Sequence, residues 1–158
     1  MKDLQGIIAM ELGRQLAIHG GLEITKLKWS YIRLAPHQYG PNKNKRYVVV
    51  APAGGFDKSH QLGLRNPTVT EQHPTKTEDP NNPNCIVKLI IFYWERCDPS
   101  QDRFFCHKKN QRKKDNPYYF KPKSPVGTNP IRDWIREITR LADFLDRNKY
   151  GAHDNPHW

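Results

Sequence analysis

Seven apolar residues, Ile131, Trp134, Ile135, Ile138, Leu141, Ala142 and Leu145, recur at intervals of three and four, and they constrain the fold more than any other feature of the chain. On a helix of 3.6 residues per turn that spacing gathers them into one stripe. Asn129 stands where an N-cap would accept a free backbone N–H, and Pro130 fills the first helical position, where its missing N–H costs nothing. The pattern predicts a helix running to about Asn148. Its outer face carries Arg132, Arg136, Arg140 and Arg147 beside Asp133, Glu137, Asp143 and Asp146, so that face is nearly neutral. Burying seven such side chains, at about 1.5–3 kcal/mol each, would anchor the helix on a sheet. Residues 151–158 read as a tail.

The sheet has to come from what precedes. Asp3 can cap a first helix over residues 4–19, where Leu4, Ile8, Leu12 and Leu16 recur every four positions beside Ile7, and Gly20-Gly21 would end it. Gly6 and Gly13 weaken that helix by about 1 kcal/mol each. From Leu22 the period becomes two: Leu27, Trp29 and Tyr31 alternate with Lys26, Lys28 and Ser30, as on a strand with a buried face. Pro36 stops it, and a nine-residue turn, HQYGPNKNK, leads to a second strand, RYVVVAP. The run CIVKLIIFYWER (Cys85–Arg96) is apolar on both faces apart from Lys88 and reads as a central strand. RFFCHK returns beside it, and YYF adds a short strand. The expected architecture is α+β: an antiparallel sheet of four to five strands flanked by an N-terminal and a C-terminal helix, in a single domain over residues 1–150. Residues 53–84, dense in Pro, Gly, Asn and Thr, read as a long flexible loop, or one that orders only against a partner.

At 158 residues the chain has the length of one domain, commonly about 100–150 residues, and a mean hydropathy of −0.87 leaves it only a small core. The longest apolar run, Leu89–Trp94, is far short of the roughly 18 residues a membrane span needs. The N-terminal apolar stretch carries Glu11, Arg14 and Gln15, unlike a signal peptide. Three cysteines, Cys85, Cys97 and Cys106, fit reduced thiols and a cytoplasmic location.

Charge is concentrated. Against 16 acidic residues stand 26 Lys and Arg, a net charge of +10. Between Ile24 and Arg46 lie Lys26, Lys28, Arg33, Lys43, Lys45 and Arg46 with no acid. Between Gln101 and Lys123 lie Arg103, Lys108, Lys109, Arg112, Lys113, Lys114, Lys121 and Lys123 against Asp102 and Asp115. These two segments exceed the net charge of the whole chain, so the remainder is slightly acidic. Both read as hairpins with interleaved rings, Trp29, Tyr31 and Tyr39 in one and Tyr118, Tyr119 and Phe120 in the other, and Tyr119 is expected to be exposed. Cations neutralise phosphates and ring faces stack unpaired bases, a pairing suited to single-stranded nucleic acid. A solvated loop that keeps strand edges apart is the plainer account of one such run, but not of two. Trp29 and Tyr31, by their alternation, read as core. Neither helix has the basic face of a duplex reader, and no RNA-binding signature is present, so RNA is favoured over DNA by elimination. The expectation is a small basic nucleic-acid-binding protein, a non-catalytic subunit of a ribonucleoprotein assembly with other protein subunits; a CRISPR-type defence complex is one setting. No cofactor is expected.

Other chemistry reads more weakly. Glu95, Asp98 and Asp102 beside a basic hairpin could hold Mg²⁺ in a nuclease, although turn chemistry explains Asp98-Pro99 equally well. Cys97, Cys106, His107, His153 and His157 lack zinc-site spacing. Cys106 and His107, adjacent on a strand, point to opposite faces and make a poor nucleophile–base pair. Gly54–Ser59 has Asp57 where a phosphate loop needs glycine, and His37, His60 and His73 are loop histidines. A third class is a docking or inhibitor module whose basic face binds an acidic partner.

Overall fold

Helix α1, Lys2–Leu16, is the element around which the rest is arranged. The structure, a computed structural model, describes residues 2–18, 21–51 and 74–150. Gly54–Ser59, His60, His73, His153, His157 and most of the expected long loop therefore lie outside the described residues. Ile8, Ala9, Leu12 and Leu16 of α1 are buried, as their spacing requires. The helix ends earlier than Gly20-Gly21: Ala17 takes a left-handed φ of 54° and the Ile18 N–H bonds back to the Leu12 carbonyl at 3.2 Å. That turn carries Ile18 into the core, 1% exposed, a gain that residue spacing alone does not reveal.

Residues expected to begin a strand form instead a short helix α2, Gly21–Thr25, and a 3-10 turn, Trp29–Tyr31. Only then does β1, Ile32–Pro36, begin. It pairs antiparallel with β2, Arg46–Val50, across the expected nine-residue turn, and β2 pairs with β3, Thr75–Thr77. Val48 and Val50 are fully buried, while His37 lies 4.6 Å from the Tyr47 ring and hydrogen-bonds Thr77 Oγ1 at 2.8 Å.

The main correction is Cys85–Arg96. It is not a central strand but helix α3, Ile86–Trp94. Its buried residues, Ile86, Val87, Ile90 and Tyr93, follow helical spacing. Leu89, Ile91, Phe92 and Trp94 on the remaining surface are apolar too, and without polar contrast a buried strand and a helix look alike. The helix is started from outside itself: Gln15 Oε1 of α1 accepts the Ile86 N–H at 3.1 Å, and Gln15 Nε2 donates to the Asn84 carbonyl at 2.8 Å. With that segment helical, the described residues do not form the single sheet of four to five strands. A three-stranded sheet, β1-β2-β3, and a separate two-stranded one take its place.

The second sheet pairs β4, Cys106–Lys108, with β5, Phe120–Pro125, through a bulge between Cys106 and Lys108. Tyr93 of α3 is the aromatic centre of the core, its ring 5.1 Å from Phe104, 5.0 Å from Phe120 and 5.7 Å from Trp29. Its hydroxyl donates to the Phe104 carbonyl at 2.8 Å and accepts from Gln5 Nε2 at 3.1 Å, so the one polar atom of that ring is paired.

Helix α4, Thr128–Tyr150, begins one residue before the expected cap and packs chiefly on α1 and α2 rather than on a sheet. Gly6 makes that approach: a Cβ there would stand 3.2 Å from Ile138 Cγ1 and 3.3 Å from Trp134 Cβ. Ile131 and Trp134 are buried and Ile135 and Ile138 half-buried, but Leu141 is 46% exposed, so burial along the stripe falls off between Ile138 and Leu141. No helix among the described residues is long and apolar enough to cross a membrane.

Candidate nucleic-acid interface

The first basic segment spans α2, the 3-10 turn and the β1–β2 hairpin. Its turn is closed by His37 N–H to the Lys45 carbonyl at 2.8 Å and Asn44 N–H to the His37 carbonyl at 3.0 Å. Gly40 and Asn44 supply the left-handed conformations it needs, φ 82° and 72°. Lys43 and Lys45 are exposed here, Tyr39 is 85% exposed, and Lys26 and Arg33 are exposed further back. Two expected phosphate contacts are otherwise engaged. Arg46 forms a two-pronged pair with Glu78, Nε to Oε2 at 3.1 Å and NH2 to Oε1 at 2.6 Å. That hydrogen bonding holds the Glu78 carboxyl below the usual range and raises Arg46 further. Lys28 lies 3.6 Å from Asp102.

In the second segment the hairpin narrows to a bridge between Lys113 and Asn116, with Lys113 and Lys114 exposed at its end. Lys109 Nζ donates to Asn116 Oδ1 at 2.8 Å, tying the two sides together. Lys108 of β4 and Lys121 and Lys123 of β5 are exposed, the last two on alternate positions and so on one face. Tyr119, expected to be exposed, is half-buried: the Arg112 guanidinium stands 4.0 Å over its ring. On the core side Arg96 lies 5.9 Å from that ring and 3.3 Å over Phe92. This stack of two arginines and two rings escaped sequence reasoning, since nothing local links Phe92 to Tyr119.

The two segments meet at their bases. Trp29 N–H donates to the Asp102 carbonyl at 3.0 Å and Phe104 N–H to the Leu27 carbonyl at 2.9 Å, an antiparallel bridge that sets Lys28 beside Arg103. Apart from Lys28 and Arg46, none of the cations expected to bind phosphate lies within 4.0 Å of a carboxylate among the described residues.

The acids thought able to hold a metal do not converge. Asp98 Oδ1 accepts from the Ser100 N–H at 2.9 Å and its hydroxyl at 2.8 Å, which holds the carboxyl below its ordinary range, while Asp102 faces Lys28. Among the described residues no three His, Cys, Asp or Glu side chains are grouped to hold a metal ion. Cys106 is buried and His107 exposed, on opposite sides of β4. Burial pushes the Cys97 thiol up to about 12 and the Cys106 thiol up to about 11, so neither is a ready nucleophile.

Beyond the end of α3 lies a cleft of about 300 Å³, lined by Trp29, Trp94, Glu95, Cys97, Asp98, Pro99, Gln101 and Tyr118. Trp29 is half-buried and rests on Tyr93 and Phe104, at 5.7 and 4.5 Å, so its reading as core is only partly right. The rings of this cleft come from three separated stretches of chain, so no local pattern announces it. Comparison with known protein families, with curated proteins and with solved structures finds no match to this chain.

Proposed function

We propose that this chain binds nucleic acid, single-stranded RNA in preference to DNA, as a non-catalytic subunit of a larger ribonucleoprotein assembly in the cytoplasm, a CRISPR-type defence complex being one such setting. The reading is carried by the exposed cations without carboxylate partners on two hairpins whose bases are hydrogen-bonded together. Lys43 and Lys45 on one loop and Lys108, Lys113, Lys114, Lys121 and Lys123 on the other would contact phosphates, releasing their counterions. Tyr39 offers the most open ring face for a base, whereas Tyr119 serves to position Arg112. Arg46 is engaged in its two-pronged pair with Glu78, and Lys28 has Asp102 at 3.6 Å.

The test is fluorescence anisotropy with labelled single-stranded RNA and DNA across a salt series. For about 6–10 phosphate contacts, affinity falls by roughly 10³–10⁵ between about 50 and 200 mM salt. A chain that ignores both oligonucleotides at about 50 mM salt does not have this function.

A further inference from the structure

The cleft beyond α3 is opposite in charge to the molecule around it. Glu95 and Asp98 line it and no Lys or Arg does, on a chain of net charge +10, although Arg96 stands 3.9 Å from Glu95 and Lys109 is near enough to favour the ionised Asp98. Asp98 is held ionised by its bonds from Ser100, and its Oδ2 has no hydrogen-bond partner among the described residues. Trp29, Trp94 and Tyr118 supply rings, Trp94 being 60% exposed. Two buried atoms of the lining side chains also lack a partner among the described residues: Trp29 Nε1, a donor, and Gln101 Oε1, an acceptor. Gln101 is only 4% exposed, and its amide nitrogen already donates to the Arg103 and Phe104 carbonyls at 2.9 and 3.0 Å.

These features select a ligand. The carboxylates repel a phosphate, and an apolar group would leave them without a partner. A compact ammonium ion is strongly hydrated and gains less from rings. A guanidinium answers both the rings and the carboxylates: it is planar, stacks on aromatic faces, and carries five N–H donors for carboxylate oxygens. We propose that this cleft receives an arginine side chain of a partner protein. The site stands whether or not the hairpins bind nucleic acid.

The experiment follows the Trp29 and Trp94 indole N–H signals by two-dimensional NMR. The ¹⁵N-labelled chain is titrated with a capped tripeptide bearing arginine at its centre, the same tripeptide with citrulline, and guanosine. Citrulline keeps the shape of arginine and removes the charge. The expected result is a saturable shift of the Trp29 signal with the arginine peptide and binding of the citrulline peptide about tenfold weaker or worse. Asp98→Asn keeps an acceptor for Ser100, so it should weaken the arginine peptide about tenfold and leave citrulline unchanged. Trp94→Ala, at an exposed position, should weaken binding while the rest of the spectrum stays put, and it decides the matter if Asp98→Asn disturbs the fold. Equal affinity for citrulline, tighter binding of guanosine than of the arginine peptide, or a Trp29 signal unmoved at the highest soluble peptide concentration overturns the proposal.

Discussion

Gly6 shows how one residue can be wrong for its helix and right for the protein. A methyl group there would gain about 1 kcal/mol of helix propensity. It would also meet Ile138 Cγ1 at 3.2 Å and Trp134 Cβ at 3.3 Å, and forcing α1 and α4 apart costs about 1–3 kcal/mol. Gly6→Ala is therefore expected to lower the melting temperature; a rise would mean that α4 gives way freely. Ala17 is the converse case. It is exposed and held at φ 54°, where a Cβ costs about 1–2 kcal/mol. Ala17→Gly should raise the urea midpoint by the equivalent of about 1 kcal/mol with an unchanged m-value. The Cys97 thiol weakens the fold at alkaline pH. Cys97 moves from 9.0 to about 12 on folding, so the native state holds that proton more tightly than the unfolded chain does. Its contribution is intact below about pH 9 and is lost as pH climbs toward 12. Urea midpoints at about pH 7.5 and pH 10.5 should show the fall, and Cys97→Ala should reduce it.

At the scale of elements, α3 depends on α1 for its start. Gln15 accepts the Ile86 N–H, donates to the Asn84 carbonyl, and donates to Glu11 Oε2 at 2.6 Å. Glu11 is 2% exposed and otherwise has Arg14 at 2.8 Å. Gln15→Leu removes all three bonds, leaving a buried carboxylate half-satisfied, and is expected to cost about 2–3 kcal/mol. Hydrogen exchange should accelerate first at the opening turn of α3. The β2–β3 pairing has a similar dependence on Arg46 and Glu78. Because Arg46 serves Glu78, Arg46→Ser should lower stability by about 0.5–1 kcal/mol while leaving the salt dependence of nucleic-acid binding unchanged. A flattened salt slope would reassign Arg46 to the interface. The first hairpin was legible because Pro36, the glycine-proline turn and Tyr47–Val50 mark its parts within a few residues of one another. α3 was not, because Ile86–Trp94 is apolar all round apart from Lys88, and the residue that starts it lies 71 positions earlier.

Across the whole molecule the decisive quantity is where unpartnered positive charge remains after folding. Lys113 and Lys114 stand exposed at the end of the second hairpin, away from the core. Replacing both with Ser should leave the melting temperature within a degree or so and lower the salt slope by about 1.4, at roughly 0.7 per phosphate contact on a single strand. An unchanged slope would remove that hairpin from the interface. The candidate site was thus legible as a list of cations but not as an arrangement. Sequence spacing could not show that Glu78 takes Arg46, 32 positions away, that Arg112 covers Tyr119, or that Trp29 and Tyr118 line one cleft.

The covalent order alone determined the amphipathic course of α1 and α4, the turn and second strand of the first hairpin, and the concentration of positive charge in two segments, because periodicity and charge are properties of near neighbours. Tertiary structure decided that Cys85–Arg96 is a helix, that the strands divide into two sheets, and which cations stay free. Those outcomes turn on which surfaces meet: a uniformly apolar segment takes the form its neighbours can bury, and a charged side chain is free or paired according to residues far away in the chain.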